Sequence, residues 1–194
     1  MSKMSKKKVI GITGSMGSGK SEISRYLRNK YPVLDCDQVN ADLLKKGNLG
    51  YEKLKEMNIV ELDSNGQIIK ESLASYMFSN EKHRKQVEAI LHPLIFDEMH
   101  KWICEQESSI VFVEMPILFE ISAQEHFDSI WCVVADLDVA LSRLQTYRNF
   151  TREQALARLV SQMNPEEKMA KSDIVLRNNS TVEQLHMQIE DALK

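Results

Sequence analysis

Cysteine is scarce in this chain of 194 residues, and the three present, Cys36, Cys104 and Cys132, are odd in number, far apart and in no C-x-x-C or Cys/His pattern. That argues against a disulfide framework or a zinc site and fits a reducing, cytoplasmic setting. Long apolar runs are missing too. No window approaches the ~20 apolar residues of a bilayer span. The run Val9 to Ile12 behind the basic start MSKMSKKK is too short for a signal-peptide core, so the lysines read as a solvated tail. Nor is charge of one sign in excess: 25 Lys and Arg stand against 28 Asp and Glu, a net charge of −3. Neither nucleic acid nor a membrane is an expected partner, and any anion site must be local. No repeat, low-complexity tract or linker interrupts the chain. Nothing in it fixes an oligomeric state, and a monomer is the simplest expectation.

With 43% apolar residues the chain can bury a sizeable core. A strand over 9–13 runs into Gly14, and after Lys20 the residues Ile23 and Leu27 stand at helical spacing. Residues 32–37 read as a second short strand ending in acids, followed by a helix with Val39, Leu43 and Leu44 on one face. Signals are mixed from Gly47 to Gly66, apart from a strong turn at Asp63-Ser64-Asn65-Gly66. A long helical pattern covers 79–106, where Pro93 is expected to kink or restart it. Near-continuous apolar runs at 109–113 and 129–134 fit strands buried on both faces of a parallel sheet. Helices over 138–148 and 152–163, a short strand at 174–176 and a closing helix over 182–193 complete one α/β domain, residues 1–194.

The chemistry begins at Gly14-Ser15-Met16-Gly17-Ser18-Gly19-Lys20-Ser21, which satisfies G-x-x-x-x-G-K-[ST] between an expected strand and an expected helix. In that setting glycines let successive N–H groups turn toward phosphate oxygens, and the helix N-terminus adds partial positive charge. Lys20 supplies a point charge for the β and γ phosphates, and Ser21 a hydroxyl for Mg²⁺. The residues thus point to ATP or another nucleoside triphosphate, but they do not separate kinases from GTPases, motors or transport ATPases. A guanine-reading N-K-x-D is missing.

Two acids bear on that choice. Asp35 and Asp37, two apart at a strand end, would point to one side, and ligands of parallel sheets sit beyond the carboxyl ends of strands. Asp37 accepts the proton of the group that takes the phosphate, holds a water on Mg²⁺, or is a helix N-cap. Glu114, closing the run Ile110 to Val113, stands where it would reach a metal, or is a strand-end acid in solvent.

Taken in order, Ile10-Gly11-Ile12-Thr13-Gly14 with the phosphate loop, Asp35-Cys36-Asp37, His92-Pro93, Pro116-Ile117-Leu118-Phe119-Glu120, Arg158 to Gln162, Glu167-Lys168 and Asp173 with Asn178 resemble the pattern of dephospho-coenzyme A kinases over nearly the whole chain. The resemblance implies a three-layer P-loop kinase fold, adenylate-kinase-like, with a mainly parallel five-stranded sheet. It adds a helical acceptor-binding insertion at about 45–106 and a lid at about 143–170. It implies Mg²⁺-dependent transfer of the ATP γ-phosphate to the ribose 3′-hydroxyl of dephospho-coenzyme A, the last step of coenzyme A synthesis. Asp37 would be the acceptor's general base, with His92, Pro93, Leu118, Phe119 and Glu120 on the acceptor side. Arg143, Arg148, Arg152 and Arg158 fall in the region like the lid, where guanidinium groups close over phosphates. Asn178 would sit near adenine.

Some positions depart from that pattern. Ser15 replaces a common glycine and Glu114 the usual Asp. Tyr147 stands where R-L-x-x-R has its second arginine, and Arg148 is turned about 100° from it on a helix. Ala41 and Asp42 fall where a basic residue follows D-x-D, and Ile69 and Lys70 replace an Asp-Arg pair. Three readings follow: a dephospho-coenzyme A kinase with a diverged lid, a P-loop kinase for another small acceptor, or a nucleotide-binding switch protein with weak chemistry.

Overall fold

A computed structural model describes residues 7–194, so the reading of the first six residues as a solvated tail lies outside the described residues. In chain order the elements are β1 (Lys8–Gly14), α1 (Lys20–Leu27), β2 (Val33–Asp35), α2 (Cys36–Leu43), α3 (Leu49–Glu56), α4 (Lys70–Ser79), α5 (Glu81–Glu105), β3 (Ile110–Glu114), β4 (Ser129–Val134), α6 (Leu137–Arg148), α7 (Arg152–Val160), α8 (Pro165–Ala170), β5 (Ile174–Arg177) and α9 (Val182–Ala192). They form two compact units, residues 7–34 with 106–194, and residues 35–105.

The first unit is built on a five-stranded sheet in the order β2-β3-β1-β4-β5. β1 runs parallel to both β3 and β4, and β4 parallel to β5. Ile10, Ile12, Phe112, Trp131 and Val133 pack on one face with Ile23 and Leu27 of α1 and Leu185 and Ile189 of α9. Side chains alternate across a strand, so the neighbours of these residues face the other layer, where α8 lies against β4. Burial on both faces is why these strands are legible as unbroken apolar runs. The central strand admits Gly11 because a Cβ there would stand 2.8 Å from Leu118 Cδ1 and 3.0 Å from Phe127 Cδ1.

In the second unit α2, α3 and α4 each pack on α5. Leu54, Ile59, Leu73, Val87 and Leu91 form its core. The segment 45–106, expected as a helical insertion, overlaps this unit, which runs from Asp35 to Glu105.

Several expected boundaries shift. The strand read over 32–37 ends at Asp35, and Cys36 already opens α2. The pattern from 79 onward breaks at Asn80, whose extended backbone (φ −166°, ψ 164°) separates α4 from α5. Pro93 does not restart α5, which is continuous from Glu81 to Glu105. Pro93 and Ala89 both lie at exposed positions, so the Ala89 carbonyl that loses its helical donor is open to solvent. The helix expected over 152–163 ends at Val160, and a short α8 follows it, with Pro165 at its first position and the Asn164 side chain accepting from Glu166 N.

Candidate functional site

The loop from Gly14 to Lys20 is shaped by its glycines. Gly17 and Gly19 have φ of 75° and 99°. A Cβ on Gly17 would stand 2.8 Å from Ala140 O, and one on Gly19 would stand 2.0 Å from Asn178 Nδ2. Both positions therefore require glycine on conformation and on space.

The carbonyl side of the loop is gripped from outside. Asn178 Nδ2 donates to Ser18 O at 2.9 Å, Arg143 Nη1 reaches Gly17 O and Ser18 O at 3.4 Å each, and Arg143 Nη2 donates to Asn178 Oδ1 at 3.2 Å. Across a planar trans peptide the carbonyl and the following N–H point in opposite directions. With Ser18 O drawn to Asn178, the Gly19 N–H is turned away from it, and no side chain caps α1, whose N-cap is Gly19 itself. An inward amide at an uncapped helix N-terminus is the arrangement that receives a phosphate oxygen. Lys20 Nζ donates to Gly14 O at 2.9 Å and Ser15 O at 3.0 Å, which keeps its ammonium at the loop. Ser21 is exposed at the second position of α1. The remaining loop residues take separate roles: Ser15 and Met16 are half-buried, and Ser18 is buried with its hydroxyl unpartnered.

Glu114 is no solvated strand-end acid. It is 7% exposed, pairs in register with Ile12 of β1, and accepts a 2.5 Å hydrogen bond from Ser24 Oγ of α1. A buried carboxylate at the end of the strand beside the loop, with the Ser21 hydroxyl on the helix that also carries Ser24, offers the hard oxygen donors that Mg²⁺ takes. Among the described residues no cluster of three or more acids, histidines or cysteines forms a protein cage. That fits an ion held largely by water and substrate phosphates. The residues present thus suit a Mg²⁺–triphosphate.

Behind the loop, the Pro116 carbonyl joins three segments. Thr13 Oγ1 donates to it at 3.0 Å and Lys168 Nζ at 2.8 Å. Lys168 is 0% exposed and pairs with Glu120 Oε1 at 2.8 Å. Glu120 also accepts from Met163 N at 3.4 Å. Leu118 and Phe119, expected on the acceptor side, are buried, whereas Glu120 beside them is exposed. Ser24 and Lys168 are the polar residues to which the sequence reading gave no role. Ser24 had a signal, a hydroxyl on the same helical face as the buried Ile23 and Leu27. Lys168, on a six-residue helix without apolar periodicity, was marked only by the Glu167-Lys168 pair of the family pattern, which carries no sign of its burial.

Of the lid-region arginines, Arg143 is brought to the loop. Arg148 is exposed at the end of α6 with no partner among the described residues, and neighbouring Tyr147 is 78% exposed. Arg152 faces Asp138 at 3.8 Å, and the Arg158 guanidinium lies 4.8 Å from the centre of the Phe150 ring. A cavity of about 370 Å³ opens between α7 and the loop, lined by Met16, Leu137, Leu156, Leu159 and Gln162 among others.

Within the second unit, the cap of α2 is Asp35, whose Oδ1 accepts from Asp37 N at 2.9 Å and Gln38 N at 3.3 Å. This corrects two expectations. Asp37 is not the N-cap, and the pair does not share one side of a strand, because Asp37 lies on the first turn of α2, exposed. Asp42 does not leave a bare negative charge: Lys45 Nζ lies 2.5 Å away and holds its carboxyl below the usual range. Ile69 is the N-cap of α4 and Lys70 its first residue. His92 is half-buried on α5, where burial lowers its pKa against a weaker upward pull from Glu88, and Pro93 beside it is exposed.

Comparison with known proteins covers nearly the whole chain. The family model described as Dephospho-CoA kinase matches residues 8–184. A Streptococcus pyogenes protein named dephospho-CoA kinase is 35% identical, covering 95% of this chain and 96% of its own. One from Bacillus cereus with the same name is 34% identical, covering 96% of each. A crystal structure of a Thermus thermophilus protein superposes with a TM-score of 0.85 at 32% identity, covering 96% of both chains.

Proposed function

The chain belongs to the dephospho-CoA kinase family, and from that premise we infer how its residues transfer the γ-phosphate of ATP to the ribose 3′-hydroxyl of dephospho-coenzyme A, the last step of coenzyme A synthesis. It is an ATP-dependent kinase that uses Mg²⁺. The observation that carries the reading is the loop held from behind by Arg143 and Asn178, which turns the Gly19 amide toward the space that α1 leaves uncapped.

Phosphoryl transfer requires positioning and charge neutralisation more than covalent chemistry. Gly14, Ser15, Met16, Gly17, Ser18 and Gly19 form the phosphate cradle, and Lys20 places its ammonium on the β and γ phosphates in exchange for the two carbonyls it now holds. Ser21 and Glu114 are the residues that would hold Mg²⁺. When bound, the ion neutralises charge on the transferring group. Arg143 orders the loop and, with Asn178, borders the nucleotide, while Arg148 supplies a second guanidinium from the exposed end of α6.

Asp37 is the acceptor's general base. Support comes from its exposed place on the first turn of α2, where Asp35 and not Asp37 is the helix cap. Acceptor binding is assigned to His92, Pro93, Leu118, Phe119 and Glu120, as the family pattern implies. The whole chain reads as one P-loop kinase domain, with residues 35–105 as the acceptor-binding insertion and 143–170 as the lid. Cys36, Cys104 and Cys132, none of them in a disulfide, suit a reducing cytoplasm.

Purified protein with Mg·ATP is expected to consume ATP when given dephospho-coenzyme A and far less with adenosine or nucleoside monophosphates. Equal turnover with those acceptors would redirect the assignment to another small acceptor. Tight ATP binding without turnover would point to a switch protein.

A further inference from the structure

Gln162, just past the end of α7, reaches the phosphate loop: its Oε1 accepts a 2.9 Å hydrogen bond from the backbone N–H of Met16. We propose that Gln162 is a positioning residue for ATP, fixing the outer limb of the phosphate loop to the root of the lid segment.

Apart from the Lys20 ammonium on Gly14 O and Ser15 O, the loop has little bonding of its own on that limb. Within it, Ser18 N donates to Ser15 O at 3.3 Å, a long contact. The Met16 amide is instead met by a side chain from far along the chain. Chemistry fixes the orientation of that side chain, because a backbone N–H only donates. The oxygen of Gln162 must face Met16, and the two Nε2 hydrogens face away.

Gln162 is itself anchored. The next residue, Met163, donates its N–H to Glu120, and Glu120 is ion-paired with fully buried Lys168 on α8. The contact is also sheltered, since Gln162 and Met16 are half-buried and line the cavity with Leu156 and Leu159. Away from bulk water a neutral hydrogen bond is strengthened.

Two grips therefore act on opposite limbs. Arg143 and Asn178 hold the carbonyls of Gly17 and Ser18, while Gln162 holds the amide of Met16. A loop held on both limbs needs less ordering when triphosphate arrives, and preorganisation of this kind raises affinity. The effect belongs to ATP binding and not to the acceptor. The proposal rests on the loop being the ATP site, and it is independent of which acceptor is used.

The test compares Gln162→Met, which keeps size and removes the acceptor, with Gln162→Glu, which keeps it. Amide hydrogen exchange of Met16 is read in the nucleotide-free full-length chain, alongside ATP affinity and KM for both substrates. In Gln162→Met, Met16 exchange should speed up and ATP binding weaken by about three- to tenfold, the size of one neutral hydrogen bond. KM for dephospho-coenzyme A should stay within about twofold, and Gln162→Glu should retain slow Met16 exchange. Unchanged Met16 exchange or unchanged ATP affinity in Gln162→Met overturns the proposal. Should that variant not fold, a wild-type Met16 amide exchanging as fast as that of Gly19 overturns it equally. A wild-type chain that binds no ATP removes the functional reading along with it, an outcome distinct from either.

Discussion

Ser24 Oγ stands 2.5 Å from Glu114 Oε2, so the helix that follows the phosphate loop is bonded to the acid that ends β3. Both groups are buried, and removal of the hydroxyl takes a donor from a carboxylate that water reaches poorly. Ser24→Ala should therefore cost about 1–3 kcal/mol of stability, measured by urea denaturation. It should also raise the Mg²⁺ concentration needed for half-maximal rate, since the carboxylate loses a constraint on its orientation. A variant as stable as the parent with an unchanged Mg²⁺ titration would show that the bond orients nothing.

Lys168 and Glu120 form an unequal pair, one partner fully buried and the other at the surface. Removing the exposed acid strands a buried ammonium, whereas removing the lysine leaves an acid that water can solvate. Glu120→Ala should thus destabilise by about 3 kcal/mol and Lys168→Met by about half of that. Equilibrium unfolding of the two variants gives the order directly, and the reverse order would contradict the burial argument.

Asp35 and Asp37 should separate cleanly. Asp35→Ala removes the cap of α2 and should cost about 1 kcal/mol with kcat little affected. Asp37→Asn should leave the melting temperature in place and lower kcat by about 10²-fold or more, ATP affinity being unchanged. Near-normal kcat in Asp37→Asn would remove it from the chemistry.

His92 sets one pH dependence. Burial lowers its pKa below the ordinary 6.5, so the folded state resists a proton that the unfolded chain accepts. The unfolded state then binds more protons below that value, and stability falls as pH drops through 6.5 toward the lower folded pKa. His92→Gln should flatten that part of the stability curve. An identical acid limb in parent and variant would assign the loss to other groups.

Legibility followed burial. β1, β3 and β4 read as strands because both faces are covered, and the loop between β1 and α1 is legible with its Lys20 and Ser21 because its motif is local. α3 and α4 went unread: α4 ends in Met77 and Phe78, the second 84% exposed, so no polar face contrasts with an apolar one. Asp37 was assigned to a strand because a three-residue β2 gives too little alternation to mark its end. The outward grip of Arg143 and Asn178 on the loop was not legible either. It depends on residues from three separated segments meeting, and no local pattern encodes that.

The first unit is assembled from both ends of the chain while the second is one contiguous stretch. Lys8 of β1 finds its sheet partner only at Ile110, and the helix behind the loop shares its core with Leu185 and Ile189. On a translating ribosome, the stretch from 35 to 105 is complete before β1 has a strand on either of its long-range sides. The phosphate loop, made before α6, β5 and α9, is among the last parts to gain its support, and nucleotide can favour the folded chain only once synthesis has passed α9.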